Sequence, residues 1–253
     1  MTISLQTQSL LRRYAERYEN AEFLNGDPSW FMHQVEGEEN QETMAFLASV
    51  LSYGSRKQFI PKIQQLLDYS EYLPYSWVKN DLFKTYFSPS DNHCFYRLYS
   101  NKDMSIFLNA YSRLLSTYGS IRNFILSSGC NNAKVAIKNL CSWFADYNTK
   151  IIPKDTQSAC KRLCMFLRWM VRDNSPVDLG IWTDIIDKRT LIIPLDTHVL
   201  NEAVELGLIS SRTATMSVAV KLTETLAQVF PDDPVKADFA LFGYGVNKTS
   251  DKN

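Results

Sequence analysis

SACKRLCMFLRWMVR (158–172) reads as a basic-faced helix opened by a lysine. Apolar residues recur in it at helical spacing, and neither glycine nor proline interrupts it. At 100° per residue, Lys161, Arg168 and Arg172 fall within about 40° of one another, with Met165 in the same arc. Leu163, Phe166, Leu167 and Met170 lie opposite, which predicts an amphipathic helix with a positive stripe in solvent. Ser158 is the expected N-cap, which places Lys161 in the first turn. There the positive end of the helix dipole and the neighbouring Arg162 both disfavour an ammonium, so Lys161 is expected to be tuned toward a neutral, nucleophilic amine. An ordinary solvated helix face would carry the same residues. Met165 and Trp169 read first as packing, with a base-stacking platform as the alternative.

Downstream lies IIPLDTHVLNEAVELGL (192–208). Pro194 stops a helix from running in, Asp196 or Thr197 can cap the helix that follows, and Gly207 ends it. Asp196 is therefore a helix cap on one reading and a catalytic carboxylate on the other. His198 falls in the first turn, a structural residue before it is a catalyst. The preceding TLIIPLD (190–196) is the one strand-like run, either a short strand or an extended connector.

Helical patterning fills most of the remaining chain. Leu10, Leu11, Tyr14 and Tyr18 share a face of a helix over 5–20. DPSWF (27–31) reads as a turn, and ETMAFLASVLSY (42–53) as a strong helix stopped by Gly54. Arg56 and Lys57 head the next helix, with Pro61 in its first turns, and the segments 94–118 and 119–148 continue in helical style. The expected fold is all-α, a single domain over 1–253 with two lobes sharing a cleft and at most a minor hairpin.

Composition narrows the function classes. With 27 Lys plus Arg against 27 Asp plus Glu, the overall field does not select nucleic acid. The charge is local: Lys150, Lys154, Lys161, Arg162, Arg168 and Arg172 face a single acid, Asp155, between 150 and 172. The five cysteines (94, 130, 141, 160, 164) form no CxxC pair, and with His33, His93 and His198 they show no metal-ligand rhythm. No cofactor, metal or metal cluster is expected. MTISLQTQSLLRR reaches charge too early for a signal peptide, and no run approaches the roughly 18 apolar residues of a membrane span, so the expected location is the cytoplasm.

Together these segments resemble the helix-hairpin-helix DNA glycosylases, which include endonuclease III and the 8-oxoguanine glycosylases. More closely still, they are similar to a bacterial family distantly related to those enzymes. MAFLASVLSYGSRKQFIPKI (44–63) resembles an early helix and polar loop facing DNA, SACKRLCMFLRWMVR the helix opened by the catalytic lysine, and PLDTHV (194–199) the turn holding the catalytic aspartate. The similarity runs over about 43–208, with KADFALFGYGV (236–246) as a closing helix.

The resemblance implies a base-excision glycosylase with lyase activity at abasic sites. Lys161 would attack sugar C1′ to form a Schiff base and Asp196 would assist, with 8-oxoguanine as the candidate lesion. Double-stranded DNA holding a damaged base or an abasic site would be the partner. Arg56, Lys57, Arg162, Arg168 and Arg172 would meet DNA, and Trp169, Trp182 and His198 would line the base pocket. Two departures stand out: KDTQSACK (154–161) lacks the Gly-x-Gly turn that anchors a phosphate, and 35 positions separate Lys161 from Asp196. That spacing is nearest to the archaeal 8-oxoguanine glycosylase branch. The alternative is a non-catalytic nucleic-acid-binding or helical interaction protein that retains the scaffold.

Overall fold

A computed structural model describes residues 3–250. In chain order, the α-helices are α1 (Leu5–Tyr18), α2 (Glu38–Leu51), α3 (Arg56–Tyr69), α4 (Pro74–Lys79), α5 (Asn101–Tyr118), α6 (Ile121–Ser127), α7 (Ala133–Asp146), α8 (Lys161–Val171), α9 (Thr197–Glu205), α10 (Met216–Leu226) and α11 (Ala237–Ser250). Strands β1 (Cys94–Tyr96) and β2 (Tyr99–Ser100) pair antiparallel, with Cys94 opposite Ser100 and Tyr96 opposite Tyr99. The protein is all-α apart from this hairpin among the described residues. No described helix is long and apolar enough to cross a membrane.

The hairpin corrects the expectation that 94–118 is helical throughout: the helix begins only at Asn101. Ser100 starts it, accepting from the Asp103 N–H at 3.2 Å while Asp103 accepts from the Ser100 N–H at 2.9 Å. That reciprocal capping box sets the boundary. TLIIPLD, the strand-like run, is an extended connector without a ladder partner among the described residues.

The chain divides into two compact units. The central unit comprises Leu24–Asn131 and Val135–Asp155. Its core is aromatic: Phe46 of α2 lies 5.0 Å from Tyr111 and 5.6 Å from Phe144 between ring centroids. Glu42 is buried because its carboxylate accepts from the N–H groups of Ile121 at 2.7 Å and Arg122 at 3.1 Å, satisfying the start of α6.

The terminal unit comprises residues up to Phe23, Asn132–Lys134 and those from Thr156 onward. Here α11 packs along α1 and α9. Helix α8 is buried from Leu163 to Val171, and the segment after it folds back over its end. The Trp169 carbonyl accepts from Leu179 N–H at 2.8 Å, and the Met170 carbonyl from Trp182 N–H at 2.8 Å, so this return loop satisfies the last turn of α8. Gly180 makes the return possible. Its φ is +63°, and a Cβ there would lie 2.8 Å from the Arg172 carbonyl oxygen. Gly180→Ala is accordingly expected to lower unfolding free energy by about 1–3 kcal/mol in urea titrations.

Candidate functional site

Lys161 and Asp196 meet. Lys161 is the first residue of α8 and Asp196 the N-cap of the next helix, α9; Lys161 Nζ lies 3.1 Å from Asp196 Oδ2. Each side chain stays about a third exposed, 33% and 32%, so the pair is gripped by the fold and still open to a ligand. Asp196 also performs its local task. Its Oδ1 accepts from the Val199 N–H at 2.9 Å, which caps α9. One oxygen holds the helix and the other holds the lysine.

Helix α10 aligns the two segments. The Ile193 N–H donates to Thr223 Oγ1 at 3.0 Å, fixing the connector three residues before Asp196. At the head of α10, Thr215 forms a β-bridge with Ser158, three residues before Lys161. Ser158 is thus bridged to Thr215 rather than acting as the N-cap of α8, which corrects that expectation. The cap position is Cys160, buried, with φ +46° and ψ 37° and no side-chain cap bond. The glycine-free stretch 154–161 therefore still contains the left-handed turn that glycine adopts most freely.

Burial works against the Asp196 charge, but the Lys161 ammonium, the Val199 N–H and His198 outweigh it and hold the carboxyl below its ordinary 3.8. The sign of the pH effect follows. A depressed folded pKa contributes stability that is present above 3.8 and lost as pH falls through the lower folded value. Lys161→Gln should therefore show its stability deficit at neutral pH and lose much of it at acidic pH, as read by urea denaturation across the pH range.

Arg168 and Arg172 are not a wet stripe, a correction to the expected DNA-facing surface. They are 3% and 2% exposed. Arg172 Nε donates to both Asp233 oxygens at 3.0 Å, its Nη2 to Glu19 at 2.7 Å, and its Nη1 to Asp178. Arg168 Nε donates to Asp178 at 3.2 Å and its Nη1 to Asp238. Burial disfavours the Arg172 cation, yet Asp178, Asp233 and Glu19 override it and hold the guanidinium more firmly protonated than usual. These side chains are committed to carboxylates inside the unit and are not available to phosphates.

Trp169 and Trp182 are also corrected. Both are fully buried, Trp182 with its ring edge-on to Phe166 at 5.3 Å, and they form core rather than a pocket lining. His198 is exposed beside Asp196. Arg162 is half-buried. In the central unit Lys57 is exposed, and Arg56, also exposed, pairs with Asp27 at 3.0 Å.

Asp238 is the acid that sequence reading missed. It lies in the first turn of α11, paired to Arg168; burial pushes its carboxyl up, Arg168 opposes, and the Asp196 charge adds to the rise. A lone acid in the apolar run KADFALFGYGV was the available signal. Among the described residues, no three His, Cys, Asp or Glu side chains come together as a metal-holding group.

No curated protein and no solved structure matches the chain significantly. A family profile described as "Protein of unknown function (DUF2400)" matches residues 27–247, most of the length, and the chain belongs to that family.

Proposed function

We propose that this protein is a DNA glycosylase with lyase activity at abasic sites, on a two-lobed scaffold of the helix-hairpin-helix type. The observation that carries the reading is the 3.1 Å contact between Lys161 Nζ and Asp196 Oδ2. An amine and a carboxylate, 35 positions apart in sequence, meet at the starts of successive helices with both side chains still accessible.

The chemistry requires a target nucleotide out of its stack, so that C1′ is exposed. Asp196, kept ionised by its neighbours, is too weak a base to take the Lys161 proton; water takes it, while the carboxylate orients the amine and offsets the positive charge that develops on the sugar. The freed amine forms a bond to C1′ as the bond from C1′ to the base breaks, and the departing base takes the electron pair and then a proton. Opening of the sugar ring yields the imine. Loss of a C2′ proton then expels the 3′ phosphate and nicks the strand. The substrate is duplex DNA with a damaged base, 8-oxoguanine being the candidate, or with an abasic site. With Arg168 and Arg172 buried, phosphate contacts fall to Arg56, Lys57 and Arg162.

On such a duplex, sodium borohydride should trap a covalent protein–DNA adduct, and Lys161→Gln should give none. A normal yield from that variant removes Lys161 as the nucleophile. A second reading, a nucleic-acid-binding protein without the chemistry, has one observation in its favour: Asp196 is already occupied as helix cap and ion-pair partner. Salt-dependent binding with no adduct from the unaltered protein would select it.

A further inference from the structure

One corner of the central unit gathers apolar side chains in solvent. Of the ten large apolar side chains exposed among the described residues, four lie between 72 and 86: Tyr72, Leu73, Leu82 and Tyr86. Leu73 and Leu82 are each more than half exposed, at 55% and 54%. A single exposed leucine is ordinary, whereas a cluster marks a surface that something covers. The Tyr86 ring ties the segments together. It stacks on Tyr69, the last residue of α3, with centroids 3.8 Å apart, and lies 6.4 Å from Trp77 of α4.

The corner is fixed before anything binds. The Tyr69 hydroxyl accepts from Gln65 Nε2, and Gln65 Oε1 accepts from Lys62 Nζ at 3.2 Å. Ser112 of α5 donates to Asp81 Oδ1 at 2.7 Å, just ahead of Leu82, and the Tyr75 hydroxyl donates to the Gly119 carbonyl at 2.9 Å. The turn after α3 closes with the Leu73 N–H on the Ser70 carbonyl at 2.8 Å. Within it Glu71 and Tyr72 take φ of +50° and +62°, the left-handed region that glycine enters most freely. Side chains placed this way lose little freedom when a partner arrives.

Charge identifies the occupant. Asp68 stands in the last turn of α3 and Glu71 just beyond it, with no basic residue in that turn. The C-terminal end of a helix carries partial negative charge and favours cations, so both carboxylates deepen a field that is already negative. Asp68 accepts only from the neutral Gln64 amide, and Glu71 is exposed without an ion-pair partner among the described residues. The nearby lysines do not cancel them. Lys84 is paired with Asp81 at 2.6 Å, and Lys79 is bonded to Tyr75, about 200° round α4 from Trp77.

We infer that this corner docks a short basic segment of another protein, with apolar side chains seated on Leu73, Leu82 and the two tyrosines and Lys or Arg facing Asp68 and Glu71. A second copy of this chain is disfavoured, because a two-fold contact through the corner brings both carboxylates toward their own images. An anionic lipid surface is repelled by the same pair. The corner lies wholly within the central unit, and its role does not depend on the DNA reading.

The test pans a phage library of random peptides against the full-length protein and, in parallel, against its Glu71→Lys, Leu73→Ser, Leu82→Ser variant. All three positions are exposed, so the urea midpoints of the two proteins should agree. Peptides enriched only on the unaltered protein should carry net positive charge and at least two apolar side chains. A synthetic copy of the most enriched one should lose affinity about ten-fold on Leu73→Ser alone. On Glu71→Gln it should lose about three-fold, a loss that shrinks at high salt. A library in which no peptide tells the variant from the unaltered protein overturns the proposal, as do corner-dependent peptides that are acidic or uncharged. A dimer in sedimentation equilibrium that Leu73→Ser disrupts overturns it in favour of a contact between copies. Leu73-dependent binding to phosphatidylserine vesicles overturns it in favour of a membrane.

Discussion

Replacing Arg172 by methionine is expected to lower unfolding free energy by about 3–5 kcal/mol, a large share of an ordinary domain's stability. Arg172 answers three carboxylates, from Glu19, Asp178 and Asp233, at a site where it is 2% exposed. Methionine fills comparable volume, so the loss comes from stranded charge rather than from a cavity. Asp178 suffers most. Burial already pushes its carboxyl up against the pull of Arg168 and Arg172, and removing one of them raises it further. A carboxyl raised in the folded state binds protons more readily there than in the unfolded chain, so the folded variant gains relative stability as pH falls. The deficit should therefore be widest near neutrality and narrower toward about pH 4. Urea titrations at the two pH values check both the size and the pH trend. A deficit independent of pH would mean that lost packing, and not charge, dominates.

Asp196→Asn is expected to reduce strand nicking by about 10²-fold or more while costing only the ion-pair stability that Lys161→Gln also loses. Asparagine caps a helix about as well as aspartate, so the bond to the Val199 N–H survives. What is lost is the negative charge beside Lys161 and the sugar. The surviving cap separates this variant from Asp196→Ala, which should lose the same activity and about 1 kcal/mol of stability besides. Nicking rates and unfolding midpoints for both variants give the comparison. If Asp196→Asn keeps full activity, Asp196 is a structural cap and nothing more.

The residues that sequence revealed are those whose reasons are local. Pro194 and Gly207 bracket a helix, and Asp196 is the side chain that can cap it; all of this lies within a few residues. Lys161 opening α8 was legible for the same reason, although the cap before it was not. Ser158 is the better cap by chemistry, but its bridge to Thr215, far along the chain, removes it from that role. The arginines were misread because a helical wheel shows which side chains share a face and not what covers that face. Asp233 is 61 positions from Arg172 and Glu19 is 153, so the burial of that stripe is a tertiary fact. A minor hairpin was allowed for, but its place escaped because YRLY carries none of the Asn-Gly or Asp-Gly chemistry that announces a two-residue turn. Its stability comes instead from Tyr53, more than 40 residues earlier.

The measurement that bears most directly on the Lys161–Asp196 pair is peptide mapping of the borohydride-reduced adduct formed on abasic-site DNA. The pair's geometry predicts one modified peptide, from the start of α8, with the sugar remnant on Lys161 Nζ. A remnant on any other amine, or no adduct under conditions where the protein binds the duplex, would contradict it.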